Sequence, residues 1–225
     1  MKKYFLLILS ILPILAYSQH SLNLNYNRGN NVRSSEDFMA DYSFQYMDSA
    51  TKNTFEASVN FLYGKQEQDI NARDLSISLR ERLYFGSVEG FMNLQNDQSL
   101  ARGIENRVMG GVGLEKFLYR KDGFYFSISD GALFEMTKYS DLGEFVKVRN
   151  SFRAQIKNKG KVKFRTNVII QNNIQDWSDF ILTSNTTLGM PISSMIDFTA
   201  NYMFLKETFV SKKLDFFTLG IEVNF

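Results

Sequence analysis

The sequence predicts an all-β protein: a transmembrane antiparallel up-and-down β-barrel of about 12 strands that follows an N-terminal signal peptide. Three observations lead to this fold class. Apolar residues recur at every second position along most of the chain, as in strands with one apolar and one polar face. Short and long connections between these segments alternate. The chain also ends on such a segment, FFTLGIEVNF, whose last residue is aromatic.

The first residues have the features of a secretory signal peptide. Lys2 and Lys3 precede an apolar run from Tyr4 to Leu15, and small residues follow in Ala16-Tyr17-Ser18. This run is too short to cross a bilayer as a helix, which takes about 20 residues. We therefore expect residues 1–18 to be removed and residues 19–225 to form the outer-membrane β-barrel domain.

Composition excludes several classes of partner and site. The chain has 26 basic and 24 acidic residues, and loss of Lys2 and Lys3 leaves 24 of each sign (26 − 2 = 24), because residues 1–18 contain no Asp or Glu. A neutral mature chain does not predict binding to nucleic acid. The absence of cysteine excludes a disulfide framework and thiolate metal sites.

The alternating segments give the strands in order. Each has roughly ten residues, the length with which a tilted strand crosses a bilayer. Their sequences are SLNLNY, DFMADYSFQY, TFEASVNFLY, DLSISLRERL, VEGFMNL, VMGGVGLEKFL, FYFSIS, FVKVRNSFRAQI, VKFRTNVII, FILTSNTTLGM, MIDFTANYMF and FFTLGIEVNF.

The connections differ according to the strand they follow. After even-numbered strands they are short, for example FG and KNKGK, and after odd-numbered strands they are longer and more polar, for example GKQEQDINAR and NDQSLARGIEN. Transmembrane barrels have short periplasmic turns and longer extracellular loops. The pattern therefore predicts a barrel in the bacterial outer membrane, surrounded by outer-membrane lipid, with both termini periplasmic. A soluble lipocalin-like barrel is the alternative.

The last strand is expected to close the barrel by pairing with the first, because lipid tolerates no unpaired strand edge. Its apolar residues occupy alternate positions up to Phe225. The end of the chain resembles the C-terminal signal that bacterial barrels present to the barrel assembly machinery. That resemblance assigns the signal to Phe217, Gly220, Val223 and Phe225.

The polar positions of the strands give an inventory of the lumen. The predicted basic wall, a candidate solute contact, comprises Arg80, Arg82, Lys147, Arg149, Arg153, Lys163 and Arg165. Its acidic partners are Asp41, Glu56, Glu89, Glu115, Asp197 and Glu222. Two interpretations remain open: a charge network that fills the interior, or a narrow passage with an anion-attracting wall.

Asp130-Gly131 interrupts the segment FSISDGALF at a point that should face the middle of the bilayer. Glycine inside a strand often marks a β-bulge, in which one extra residue changes the side to which the following side chains point. We therefore expect a bulge that turns Asp130 inward.

Glu81 is the second break in the pattern, since it falls on the apolar face of its strand. If Phe85-Gly86 is a two-residue turn, Glu81 faces Gly90 across the hairpin, and Lys116 can reach over that glycine. This predicts a lipid-side ion pair or a weak protein contact near Glu81 and Lys116. An interfacial Glu81 that reaches for lipid headgroups is the alternative.

No catalytic or cofactor motif is present, and we expect no enzyme, no cofactor and no metal. Barrel hydrolases need a base such as histidine beside the nucleophile, and the only histidine is His20, at the mature N-terminus. In the segment NNIQDWSD, Trp177 suggests an interfacial anchor. Weak calcium binding by Asp176 and Asp179 is the alternative there.

Several diffuse features carry a family resemblance: a Gly29-Asn30 turn after the first strand, an Arg107 strand that runs into two glycines, an Arg149/Arg153 strand and the aromatic C-terminus. With these features the chain resembles the YdiY-like family of outer-membrane β-barrels. That family is a domain of unknown function whose members are described as salt-induced outer membrane proteins. The resemblance implies the fold and the Gram-negative outer membrane, and it brings no established activity.

Two functional hypotheses follow. The first is a structural or accessory barrel with a charge-filled lumen. The second is a porin-like narrow channel for small, including anionic, solutes. An outer-membrane enzyme ranks a distant third.

Overall fold

The computed structural model describes residues 19–29, 35–48, 50–66, 69–121, 123–160 and 162–224. Within these ranges the chain forms a closed barrel of 12 antiparallel strands, in which each strand pairs with the next and β1 pairs with β12. The strands are β1 (Gln19–Gly29), β2 (Ser35–Met47), β3 (Thr54–Gln66), β4 (Asp69–Phe85), β5 (Val88–Ser99), β6 (Ile104–Lys121), β7 (Phe124–Tyr139), β8 (Gly143–Lys159), β9 (Lys163–Asn173), β10 (Phe180–Pro191), β11 (Ile196–Glu207) and β12 (Lys212–Asn224).

The barrel has its apolar side chains outside and its charged side chains inside. Neighbouring residues of β6 illustrate this: Leu114 is 61% exposed, whereas Glu115 is 1% exposed. A soluble protein buries its apolar residues, so this inverted distribution matches a strand that faces lipid on one side and a polar lumen on the other. No helix with the length and hydropathy to cross a membrane occurs in the described ranges.

The C-terminal strand closes the barrel as expected. β12 pairs with β1 from Ser21 opposite Asn224 to Tyr26 opposite Leu219, and Phe217, Leu219 and Ile221 are exposed on the outer surface. Closure pairs the backbone groups of the first and last strands, which an open sheet would leave unpaired in lipid. The predicted signal peptide, residues 1–18, and Phe225 of the predicted assembly signal lie outside the described residues.

The strands are longer than the sequence pattern suggested, and several predicted loops are strand for most of their length. Strand lengths range from 11 residues in β1 to 18 in β6. β3 ends at Gln66 and β4 begins at Asp69, within the predicted loop GKQEQDINAR. Polar residues in a hairpin satisfy their backbone groups most simply by continuing the ladder. Polar composition therefore marked the end of the apolar band rather than the end of the strand.

The predicted β-bulge at Asp130-Gly131 is wrong. The register of β7 with β8 is continuous, with Asp130 opposite Phe152 and Gly131 opposite Ser151. Asp130 therefore stays on the outer face, where it is exposed. Gly131 is required for another reason: a Cβ atom there would lie 2.6 Å from the carbonyl oxygen of Val112 and 3.0 Å from the Cα of a neighbouring glycine.

The predicted ion pair of Glu81 with Lys116 is also wrong. Phe85 pairs with Val88, so the turn consists of Gly86 and Ser87, and Glu81 lies opposite Met92 instead of Gly90. Lys116 lies opposite Val88 on the next strand. With standard strand spacing the Cα atoms of Glu81 and Lys116 are about 16 Å apart, which exceeds the reach of the two side chains. A weak protein contact near these residues stays a prediction.

Candidate functional site

The lumen carries charge near both ends of the barrel and uncharged side chains between them. We call the end that holds the chain termini the terminus end, and the opposite end, with the connections 174–179 and 208–211, the loop end. From the terminus end to the loop end, the lumen-facing residues of β4 are Arg82, Arg80, Ser78, Ser76 and Asp74. This order separates two groups of charges by a neutral polar region.

The same order recurs on neighbouring strands. On β8, Ser151 separates Arg153 from Arg149. On β5, Asn93 and Gln95 lie between Glu89 and the buried Asp97. The neutral residues bond largely to one another across strands: the hydroxyls of Ser58 and Ser78 are 2.8 Å apart, and those of Ser21 and Ser43 are 2.6 Å apart. A band of neutral side chains therefore separates the charged group at one end from the charged group at the other.

The loop-end cluster is a continuous chain of alternating charges. Its members all have an exposure of at most 6% and are Arg107, Glu135, Lys147, Arg149, Asp179 and Glu207. They come from β6, β7, β8, β11 and the connection before β10. Each carboxylate lies between two cationic side chains within ion-pair distance, and the second partner of Glu207 is Arg102 at 3.6 Å.

Arg107 is the centre of the loop-end cluster. Its guanidinium binds both carboxylate oxygens of Glu207, and the Nη1–Oε2 distance is 3.3 Å. It also donates to the hydroxyl of Tyr139 at 2.9 Å, and that hydroxyl in turn donates to Glu207 at 2.9 Å. On the other side, Arg107 Nε lies 3.2 Å from Glu135 Oε1. Because carboxylates bind the planar guanidinium from two sides, its orientation is fixed.

The Arg107–Glu207 pair crosses the lumen. Arg107 lies on β6 and Glu207 on β11, which are five strands apart in the closed order. Side chains of adjacent strands meet along a wall, but these two can meet only across the interior. The lumen is consequently occupied at this level.

Asp179 anchors the connection 174–179 inside the barrel. It accepts hydrogen bonds from Lys147 Nζ at 2.7 Å and from Arg149 Nη2 at 3.1 Å. Burial alone would raise the pKa of Asp179, but the hydrogen bond from Lys147 and the charge of Arg149 outweigh burial and lower the pKa below its usual 3.8. The carboxylate therefore stays ionised to low pH and holds both cations in place.

The connection 208–211 covers the loop-end cluster. Phe209 packs against Phe145 with ring centroids 4.9 Å apart, and Lys147 Nζ lies 3.3 Å from the Phe209 ring centroid. Thr208 Oγ1 donates to the carbonyl of Ser178 at 2.7 Å. This bond joins the two connections. The two connections therefore form one unit that packs against the charged cluster.

The terminus-end cluster comprises Glu56, Arg80, Arg82, Glu89 and Glu115, on the successive strands β3 to β6. Arg82 lies 3.3 Å from Glu56, 3.8 Å from Glu89 and 3.7 Å from Glu115. Arg80 lies 3.2 Å from Glu115 and stacks 4.3 Å from the Phe91 ring centroid. The Nε atoms of both arginines are buried without a hydrogen-bond partner. This cluster follows one wall and does not cross the lumen.

The other residues of the predicted basic wall are distributed along the barrel. Arg153 bonds to amides, Asn167 at 2.6 Å and Gln155 at 3.0 Å. Lys163 forms an ion pair with Asp197, and Arg165 is exposed in the lumen. The set is divided because β8 and β9 run in opposite directions, so Lys147 and Arg149 lie at the loop end and Lys163 and Arg165 at the terminus end.

The remaining predicted acids lie at or near the terminus end. Asp41 on β2 and Glu222 on β12 both lie opposite Asn23 of β1, one on each side. Glu222 also lies opposite Asp197 of β11. The register thus brings these three carboxylates to neighbouring strands, with Lys163 beside Asp197.

Sequence reasoning missed much of the loop-end cluster. Glu135 was hidden by the bulge expected at Asp130, since unbroken alternation along β7 places Glu135 inward. Asp179 and Glu207 lie outside the predicted strands. Arg107 enters the sequence prediction only as a family feature. Alternation through the ends of the strands was the signal that could have found Glu135, Arg107 and Glu207.

The calcium alternative does not fit the geometry. Asp179 is bound by Lys147 and Arg149, and Asp176 accepts hydrogen bonds from the backbone and hydroxyl of Ser178 at 3.0 and 2.6 Å. No cluster of metal-ligating side chains occurs within the ranges of the chain that the structure describes. Trp177 is exposed beside them. His20 Nδ1 lies 2.7 Å from the hydroxyl of Tyr42, at the terminus end.

Comparison with solved structures shows the fold of outer-membrane porins. A structure of the NanC porin aligns with a TM-score of 0.58 at 9% identity, over 91% of this chain and 98% of that chain. A structure of the KdgM porin, in complex with disordered oligogalacturonate, aligns with a TM-score of 0.53 at 6% identity, over 91% and 99%. At such low identity these similarities establish the fold alone. No curated protein sequence matches the chain.

The family assignment is direct. The model of the family described as "Protein of unknown function, DUF481" matches residues 21–221, so the chain belongs to this family. The match covers nearly the whole barrel and confirms the resemblance read from the sequence.

Proposed function

We propose that this member of the DUF481 family is an integral outer-membrane barrel whose lumen is closed at the loop end, with a structural or accessory role. The observation that carries the proposal is the Arg107–Glu207 pair, which joins β6 to β11 across the interior. A solute that enters from the terminus end meets this pair before it reaches the loop end.

The burial of the cluster supports closure. Arg107, Glu135, Arg149 and Glu207 have exposures of 0–1%, so no water-filled space lies beside these side chains. The smaller sector of the lumen, between β6 and β11, is filled by Glu135, Arg149 and the connection that carries Asp179. A fully paired network of this kind has little freedom to move aside for a solute.

The proposed location is the outer membrane with both termini in the periplasm. The apolar outer surface and the fold of outer-membrane porins support the membrane. The predicted secretory signal peptide and a C-terminal strand that resembles the assembly signal support export and insertion by the barrel assembly machinery. Phe217 and Val223 lie on the outer face of that strand, where the barrel assembly machinery could bind them.

A narrow channel for small anionic solutes is the second candidate, and one observation favours it. Arg165 and Asn185 face the lumen and are nevertheless exposed, so the lumen admits water beside these two side chains. The KdgM porin, whose structure is described as a complex with oligogalacturonate, provides a precedent for an acidic solute in this fold. For this candidate the loop-end cluster would have to open.

Planar-bilayer conductance separates the two candidates. We expect no steady current from the wild-type protein and a steady current from the double variant Arg107→Ala/Glu207→Ala. The control is Lys138→Ala/Glu105→Ala, which removes an ion pair of 2.7 Å on the outer surface of the same end, with side-chain exposures of 53% and 46%. This control should stay closed.

A steady, anion-selective current through the wild-type barrel would overturn the proposal in favour of a channel. A double variant that is folded, as shown by its heat-modifiable gel mobility, and yet carries no current would show that other residues close the lumen.

A further inference from the structure

We infer that the outer surface of β11 and β12 at the loop end is a binding site for the phosphate groups of membrane lipids, with Lys206 and Lys213 as the ligating residues. The inference rests on the membrane embedding in the proposed function, and it adds a specific ligand class and a specific site.

The two lysines are brought together by the register. Lys206 on β11 lies directly opposite Lys213 on β12, and both side chains are exposed. Like charges directly opposite each other across strands repel and are destabilising. An anion between the two ammonium groups would remove this repulsion.

The part of the chain that the structure describes supplies no ion-pair partner for these two lysines. Among the described residues, no carboxylate lies within ion-pair distance of Lys206 or Lys213. The acidic residue nearest in the register is Asp215, on the same face of β12 and diagonal to Lys206. The pair of lysines therefore retains a net positive charge even if Asp215 is counted with it.

The opposite side of the barrel rim shows the contrasting arrangement. Lys138 of β7, also exposed at the loop end, forms an ion pair with Glu105 of β6 at 2.7 Å. Lys138 is thus neutralised within the protein, whereas the described residues provide no such partner at the rim of β11 and β12. The difference singles out Lys206 and Lys213 as the pair that an external anion can bridge.

The aromatic surface beneath the lysines identifies the anion as a lipid. Lys206 Nζ lies 5.3 Å from the ring centroid of Phe180, and Lys213 Nζ lies 5.7 Å from that of Phe204. Exposed Tyr202 and Phe217 continue this surface toward the middle of the barrel wall. Aromatic rings at the interface, with lysines that reach past them, place the ammonium groups at the level of lipid phosphates. Acyl chains would then pack on the rings.

The test uses the full-length barrel in nanodiscs of phosphatidylcholine, with and without phosphatidylglycerol, or with added inorganic phosphate. We expect phosphatidylglycerol to raise the thermal midpoint of the wild-type protein, and this shift should disappear in Lys206→Gln/Lys213→Gln. Each lysine near an anionic membrane surface corresponds to about a fivefold gain in affinity. The matched control Lys138→Gln should keep the shift, as should the conservative variant Lys206→Arg/Lys213→Arg.

Three results would overturn the inference. The first is an equal thermal midpoint in both lipids for the wild-type protein. The second is a full shift in the Lys206→Gln/Lys213→Gln variant. The third is an equal shift with inorganic phosphate in pure phosphatidylcholine, which would indicate a free-anion site. A protein that does not insert into nanodiscs at all would instead contradict the proposed membrane embedding, so the two failures are distinguishable.

Discussion

The loop-end and terminus-end clusters use the same residue types with different results. At the loop end, Arg107 reaches Glu207 across the lumen, and both side chains are almost completely buried. At the terminus end, Arg82 reaches Glu56, Glu89 and Glu115, which all lie on strands β3 to β6. The first arrangement spans the lumen, whereas the second lines one wall. The result depends on whether the partner of a charged side chain lies across the lumen or on a nearby strand of the same wall.

Satisfaction of hydrogen bonds differs in the same way. Arg107 donates to Glu207, Tyr139 and Thr137, whereas Arg80 and Arg82 keep buried Nε atoms without partners. Removal of one charge from a fully buried network leaves its partners uncompensated, but water can replace a partner where the lumen is wet. This comparison leads to three predictions.

The largest effect is expected for Arg107→Ala. It leaves Glu207 and Glu135 with less compensation in a site closed to water and should lower the free energy of unfolding by about 3–5 kcal/mol. Arg82→Ala, in the terminus-end cluster, should cost about 1 kcal/mol because Glu56 is partly exposed to water and Glu115 keeps its ion pair with Arg80. Urea unfolding of the barrel in lipid vesicles measures both. Equal losses would mean that the two clusters do not differ in solvation.

An intermediate effect is expected for Phe209→Ala. The variant removes the ring that packs on Phe145 and lies beneath the Lys147 ammonium group, at a cost of about 2 kcal/mol. Brief openings should also appear in bilayer recordings, because the connection 208–211 loses its anchor. Leu142→Ala, on the exposed connection between β7 and β8, is the control. If the two variants behave alike, Phe209 does not hold the connection 208–211 in place.

The smallest effect is expected for Asp179→Asn, because the amide keeps an acceptor oxygen and Arg149 keeps its ion pair with Glu135, and the effect depends on pH. Because the pKa of Asp179 is lowered in the folded state, its ionised form stabilises the barrel above pH 3.8, and this contribution is lost as the pH falls through the lowered pKa. The wild type should therefore be more stable than Asp179→Asn at pH 6, and the difference should shrink below pH 4. The exposed variant Asp141→Asn is the control. A difference that is constant with pH would contradict the role of the ionised carboxylate.

The wall facing lipid was predictable because its signal is local. Alternation along Phe217, Leu219 and Ile221 requires only that side chains of a strand point to opposite faces. The same rule would have placed Glu135 in the lumen, but glycine at position 131 suggested a bulge. The glycine in fact serves the close approach of β7 to β6 at Val112. A sequence does not distinguish these two uses of glycine, because both depend on a neighbouring strand.

The sequence by itself determined the class of the protein: a closed β-barrel with an apolar exterior, about 12 strands and a charged interior. Period-two alternation follows from the geometry of a single strand, and the need to pair every backbone group in lipid then imposes closure. Only the tertiary structure decided that Arg107 meets Glu207, that Asp179 joins Lys147 and Arg149, and that Lys206 faces Lys213. Those contacts depend on the register of neighbouring strands and on which strands oppose each other across the lumen. Neither the register nor the opposition of strands can be deduced from the order of residues along a single strand.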